Sequence, residues 1–322
     1  MVRNRFLLLA LAVACVPFMQ AWAQSYPSKS IRFIVPFAAG GTNDIVARII
    51  GAKLSEAWNQ PVVIDNRGGA GGVIGTELGA KAAPDGYTLL MANVNLATNP
   101  ALINKLPYDT LKDLSPVSLL ATSPTVLAVT PAFPAKTVGE LIAYARKNPG
   151  KLNYSTSGAG TTTHIAMELL ISMTKIQMTA VHYKGGGPAM IDLIAGRVSP
   201  GFTTILSVIP HLKANRLRAL AVSTTERSPV LPEVPTVSES GLPGYEFTGW
   251  WGMVVPAKTP KKVVSKLNEE LKKILADSSV KNNLIQEGAT PTYTTPENFS
   301  AYIASEISKW TAVIKQAGIQ AN

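Results

Sequence analysis

The sequence predicts an α/β fold of two lobes, each a mainly parallel sheet flanked by helices, with two strands crossing between them. Three observations predict it. Strand-like and helix-like segments alternate from residue 31 to 91, the order expected of a parallel sheet covered by helices. The alternation restarts after Val126. Two apolar runs, near 117–129 and 247–255, flank that second set and give the chain a way out of one lobe and back. The length of 322 residues suits about two domains of ordinary globular composition.

In chain order, residues 31–35 (IRFIV) read as a strand because β-branched and aromatic side chains dominate them. A glycine turn then leads into a helix over about 44–58. Residues 61–65 form a second strand, 75–83 a helix and 87–91 a third strand. In the second set, Thr137 and Glu140 make a capping box for a helix that stops at Asn148-Pro149-Gly150. Residues 152–154 lead into a second glycine turn and helix, 178–182 into a third, and 217–222 read as a buried strand. Two amphipathic helices close the chain. Val263, Val264, Leu267, Leu271, Ile274 and Leu275 make one apolar stripe, and Phe299, Ile303, Ile307, Trp310 and Ile314 another. The second of these helices has Thr295 at its N-cap, Pro296 at its first position and Gly318 just past its end. With both stripes packed on the first sheet, the chain leaves lobe one, builds lobe two and returns. A double crossing is a hinge, and two lobes so joined shut on a ligand in the manner of the periplasmic binding protein fold.

The first residues have the layout of a secretory signal peptide. Arg3 and Arg5 precede 13 uncharged residues, 6–18, and Ala21-Trp22-Ala23 supplies the small-residue cleavage site. The run is too short for a stable membrane anchor. A lipidated Cys15 is the rival reading, but Ala12 stands where such leaders carry Leu and the apolar run continues past the cysteine. Cleavage after Ala23 removes Cys15, the one cysteine, so the exported chain has neither disulfide nor thiolate metal site. The expected division is residues 1–23 as signal peptide, 24–124 with 246–322 as lobe one, and 125–245 as lobe two, with the periplasm as destination.

Function is carried by the turns at the carboxyl edges of the sheets, where such folds bind ligands. Residues 38–44 (AAGGTND) and 155–162 (STSGAGTT) each join a strand to a helix, one per lobe. Each places free backbone N–H groups, the positive end of a helix and short polar side chains together, which makes a cradle for an anion. A third turn, 183–188 (YKGGGP), starts another helix. Taken singly, a glycine turn only lets a strand meet a helix closely; one in each lobe is a stronger sign. A helix start contributes roughly 0.3–1 kcal/mol toward an anion, up to about 2 when partly buried. Micromolar binding needs about 8 kcal/mol. Several charge-assisted hydrogen bonds at about 1.5–3 kcal/mol each must supply the rest.

Other chemistries fit poorly. Gly158-Ala159-Gly160 is followed by Thr163, and Gly69-Ala70-Gly71 by Ile74, where a dinucleotide fingerprint needs glycine. Ser157 lacks the glycine of a nucleophile elbow. His164, His182 and His211 are widely spaced along the chain and match no zinc motif. No catalytic residue, metal or cofactor is expected. The formal charge of +10 is distributed, as in Lys261, Lys262, Lys266, Lys272 and Lys273 interleaved with Glu269 and Glu270, so nucleic acid is not an expected partner.

Across essentially the whole exported chain the sequence resembles the Bug family, the substrate-binding proteins of tripartite tricarboxylate transporters. The resemblance rests on VPFAAGGTND (35–44) with Arg48, DNRGGAGG (65–72), AAPDGYTLL (82–90), NPGKLNY (148–154), SGAGTTTH (157–164), YKGGGPA (183–189), Pro210-His211 and Arg218 to Val222, all in order. It implies a two-lobed receptor whose glycine loop in lobe one and Ser/Gly/Thr loop in lobe two hold a carboxylate, partly through water. The candidate ligand-binding residues are Phe37, Ala39, Gly40, Gly41, Thr42, Asn43, Asp44 and Asn93 in lobe one. In lobe two they are Thr156, Ser157, Gly158, Thr161, Thr162, His164, Lys184 and Thr203. Members often carry Asp after the Phe at position 202, where it can pair with a ligand ammonium; here Thr203 stands. That departure implies a small organic carboxylate without an amino group. The implied partners are the membrane permease subunits of a tripartite transporter, or a signalling receptor in the alternative reading, and the chain is expected to be a monomer.

Overall fold

Strand β1 (Ile31–Val35) lies between β2 (Val62–Asn66) and β3 (Thr88–Asn93) and runs parallel to both. A computed structural model describes residues 26–319 apart from Glu287, and the signal peptide read at 1–23 lies outside the described residues. Helix α1 (Thr42–Trp58) joins β1 to β2, and α2 (Val73–Ala80) joins β2 to β3 after a tight turn at Ala70–Gly72. The apolar run IRFIV is buried except at Arg32, as a strand covered on both faces requires.

The chain then forms α3 (Asn95–Leu102) and a 16-residue strand, β4 (Leu114–Val129), which serves both sheets. Its first part pairs antiparallel with β9 (Thr248–Pro256), from Leu114 opposite Pro256 to Pro124 opposite Thr248, and β9 pairs in turn with β3. Its last residues, Thr125 to Val129, pair with β7 (Gly201–Thr204) on one side and β8 (Arg218–Val222) on the other. Between them lie α4 (Val138–Lys147), β5 (Leu152–Thr156), α5 (Thr162–Thr174), β6 (Met178–His182), α6 (Gly186–Ile194) and α7 (Ile205–Lys213). Strands β6, β5 and β7 are parallel neighbours. The molecule is thus a two-lobed α/β fold, with β4 and the start of β9 crossing between two mainly parallel sheets.

After β9 come α8 (Lys261–Ala276), α9 (Ser278–Gln286), the short β10 (Thr290–Pro291) on β4, and α10 (Pro296–Ala317). The stripe of α8 packs with α1, β1 and β3 in one core. The stripe of α10 does not stay on the first sheet. Phe299 packs on Trp250, Trp310 packs on Phe247, and the same core takes in Tyr154, Ile165 and Leu170 of the second lobe. Both Trp250 Nε1 and Trp310 Nε1 donate to Glu306 Oε2, at 3.0 and 2.9 Å, so one buried carboxylate locks α10 to the returning strand. The capping signals act locally as written. Thr137 Oγ1 accepts from Glu140 N and Thr295 Oγ1 from Asn298 N, although the Glu140 carboxylate accepts from Lys136 N and not from Thr137 N.

Candidate functional site

Four helices begin at one point. The first turns of α1, α5, α6 and α7 meet between the lobes around a chamber of about 30 Å³, the size of a single water. It is lined by Phe37, Thr42, Asn43, Asn93 and Trp251 from the first lobe. Ser157, Thr161, Thr162, Thr163, Gly186, Thr203, Thr204 and Ser207 line it from the second. No lining residue carries a charge. The N-caps Gly41, Thr161, Gly185 and Thr204 make no side-chain capping bond, so no cap side chain occupies the first N–H groups of the four helices, although Asp44 N turns back to Gly41 O and Pro188 of α6 has no N–H. Such a surface is polar, dense in donors and positive without a cation.

Hydrogen bonds fix the side chains around it. Ser157 Oγ bonds to the hydroxyls of Thr161 and Thr163, both at 3.0 Å, and Ser157 N donates to Thr163 Oγ1 at 2.8 Å. On the opposite wall Asn95 N donates to Asn93 Oδ1, and Asn93 Nδ2 donates to Asn43 Oδ1 at 2.7 Å. This relay consumes the acceptor of Asn43 and leaves its NH₂ as the available end.

The cleft is shut. The hydroxyls of Thr42 and Thr204 bond to each other across it, Ala38 N donates to Lys184 O at 3.1 Å, and Thr98 Oγ1 donates to Gly160 O at 2.5 Å. Glycine makes this approach possible. Gly71, at φ +60°, would place a Cβ 2.3 Å from the carbonyl oxygen of Ala159.

Of the residues picked out in the sequence, Phe37, Thr42, Asn43, Asn93, Ser157, Thr161, Thr162 and Thr203 line the chamber. Gly158 and Lys184 line a neighbouring cavity of about 320 Å³ that shares Phe37 and Ser157 with it. Gly40 faces an outer groove. Gly41 caps α1, where a Cβ would lie 3.3 Å from Gly186 N, and the Ala39 carbonyl abuts Gly187. Asp44 supports the loop and is no part of the lining. Its Oδ2 accepts from Gly40 N and from Arg48 Nε, each at 3.0 Å. Burial works against the charge, yet these bonds hold the Asp44 carboxyl below the usual range. Thr156 holds the turn from behind, bonding His182 Nδ1 at 2.7 Å and accepting from Gly158 N at 3.1 Å.

His164 is likewise a support. Its Nδ1 accepts from Gly160 N at 3.1 Å, and its ring lies 4.9 Å from that of His182. Burial, with the neighbouring imidazole, pushes His164 down to about 3. It is therefore neutral, and the Glu168 carboxylate 3.8 Å from its Nε2 makes neither an ion pair nor a hydrogen bond with it.

Thr163, Gly186, Thr204, Ser207 and Trp251 also line the chamber but were not among the candidates. Thr204 was legible in principle: a hydroxyl residue at an N-cap with Ser207 three positions on, their hydroxyls 2.8 Å apart. Trp251 was hidden inside an apolar crossing strand.

The sequence matches the family described as tripartite tricarboxylate transporter family receptor over residues 46–319. The protein BugT of Bordetella pertussis is 37% identical over 298 residues, covering 92% of this chain and 91% of its own. The structure of Rpa4515 of R. palustris with adipate is 38% identical, with a TM-score of 0.89 over 92% of this chain and 99% of that one. MatC of Rhodopseudomonas palustris with bound malate is 34% identical, with a TM-score of 0.87 over 90% of this chain and 100% of that one. With its fold, its opposed glycine turns and these relatives, the chain belongs to the Bug family of tripartite tricarboxylate transporter receptors.

Proposed function

We propose that the protein is a periplasmic receptor that closes on a small organic carboxylate and hands it to the membrane subunits of a tripartite transporter. The observation that carries this reading is the convergence of four uncapped helix starts on one chamber with no charged side chain. Each start contributes about 0.3–1 kcal/mol, up to about 2 when partly buried, so four supply a substantial part of a micromolar affinity before any hydroxyl contributes. The adipate and malate held by two relatives are acids of this class. The chamber is small because the lobes are closed; admitting an acid requires them to part and then re-form around it.

The ligand-contacting set we propose is Thr42, Asn43, Asn93, Ser157, Thr161, Thr162 and Thr203 with Phe37 as an apolar wall. Lobe one comprises residues up to 124 with 246 onward, lobe two 125–245, and export follows cleavage after Ala23. Among the described residues no helix is long and apolar enough to cross a membrane. Calorimetric titration with succinate, malate and adipate tests the reading, alongside aspartate and glutamate. Binding of the acids over the amino acids is expected, since Thr203 offers no charge to an ammonium. Heat from the amino acids alone would reverse the ligand class, and heat from neither would remove the receptor reading.

A further inference from the structure

Trp250 and Trp251 are adjacent on β9 and both fully buried, yet their indoles are treated differently. They point to opposite faces of the strand. Trp250 gives its N–H to Glu306. Trp251 lines the chamber, is 1% exposed, and its Nε1 has no partner. A buried donor left unpaired is costly, and native structures seldom retain one without a use.

The strand is shaped to hold this ring in place. Gly249 lies two residues away on the same face, and a Cβ there would meet Trp251 Cη2 at 3.2 Å and Thr162 Cγ2 at 3.0 Å. The indole thus lies against the start of α5, over a position where a Cβ would crowd both the ring and Thr162. A single carboxylate offers about four acceptor sites. Four helix starts already match that number, so the Trp251 donor is left for a different oxygen.

We propose that Trp251 is a specificity-determining residue of the chamber, donating its indole N–H to a second oxygen-bearing group of the bound acid. Diacids are therefore preferred to monoacids of equal length. The inference rests on the carboxylate reading above. Its test is calorimetry on the exported chain and on W251F, which keeps a ring and loses the donor, with adipate against hexanoate and succinate against butyrate. Wild type is expected to favour each diacid, and W251F to lose about tenfold for the diacids while changing little for the monoacids. Equal loss for both members of a pair, or none, would overturn the role of Trp251 while leaving the receptor reading intact. No binding of any acid to wild type would remove both. A second readout needs no variant. The indole ¹H–¹⁵N resonance of Trp251 in wild type should shift with adipate well beyond its shift with hexanoate, and an equal response to the two would contradict the proposal.

Discussion

His164 shows how a residue beside the site shapes it without entering it. Its ring is neutral because burial, and secondarily His182, hold it near 3 against an ordinary 6.5. The unfolded chain takes up this proton as the pH falls through 6.5, whereas the folded chain resists until near 3. The stability it contributes is therefore full above 6.5 and is lost progressively as the pH falls toward 3. His182, also depressed by burial, acts in the same sense. Glu168 acts in the opposite sense, since burial raises its carboxyl despite the bond from the Tyr154 hydroxyl. The isolating comparison is thus H164N, whose amide oxygen can still accept from Gly160 N. The drop in melting temperature between pH 7 and pH 4.5 should be smaller in the variant than in wild type; equal drops would mean that His164 takes no part. Thr203 makes a second prediction at this scale. It is 6% exposed, lines the chamber and bonds Ser207 Oγ at 3.1 Å. A carboxylate there would repel an anionic guest and attract an ammonium, so T203D should lose at least tenfold for malate while gaining aspartate relative to it by calorimetry. Undiminished malate binding would place Thr203 outside the contact set.

At the scale of elements, segments with strong periodicity were legible and those with a disrupted pattern were not. The stripes of α8 and α10, the caps Thr137 and Thr295 and the long crossings all follow from spacing and side-chain chemistry. Helix α3 was missed because Asn95-Leu96-Ala97-Thr98-Asn99-Pro100 reads as a turn. Pro100 cannot bond the carbonyl four residues back, and Thr110 Oγ1 donates to that Leu96 carbonyl instead, at 3.1 Å. A tertiary partner compensates the helix, and no local pattern announces it. Strand β7 and helix α7 were missed for a related reason: four strand residues pass directly into a helix containing Pro210, with no loop between them. The destination of α10 was also illegible, because an apolar stripe says that a face is buried and not what buries it. Its anchor is Glu306, which accepts two indole N–H bonds. E306A strands both donors in the core and should destabilise the protein by more than about 2 kcal/mol in denaturant unfolding. A cost near zero would show that the aromatic packing alone secures the helix.

Across the whole molecule, the glycine loops have two duties, and only one was visible in the sequence. The proposed one, opening a helix start to a ligand, is read from the turn itself. Letting the two lobes touch is not, because the contacting atoms come from chain segments about 90 residues apart, as with Gly71 and Ala159. G71A adds a methyl group to a left-handed backbone position and drives it into the Ala159 carbonyl only when the cleft is shut. It should weaken carboxylate binding by more than tenfold while moving the ligand-free melting temperature far less than E306A does, and affinity equal to wild type would show that closure tolerates the extra atom. The net charge of +10 has no counterpart in the chamber lining, which holds no lysine or arginine, so the proposed binding rests on backbone and neutral polar groups. The most direct test is a crystal structure of the protein soaked with adipate or malate. It should place one carboxylate within hydrogen-bond distance of the first N–H groups of α1 and α5 together, in a closed cleft. A carboxylate held by Lys184 alone, or by one lobe with the other swung away, would contradict the account.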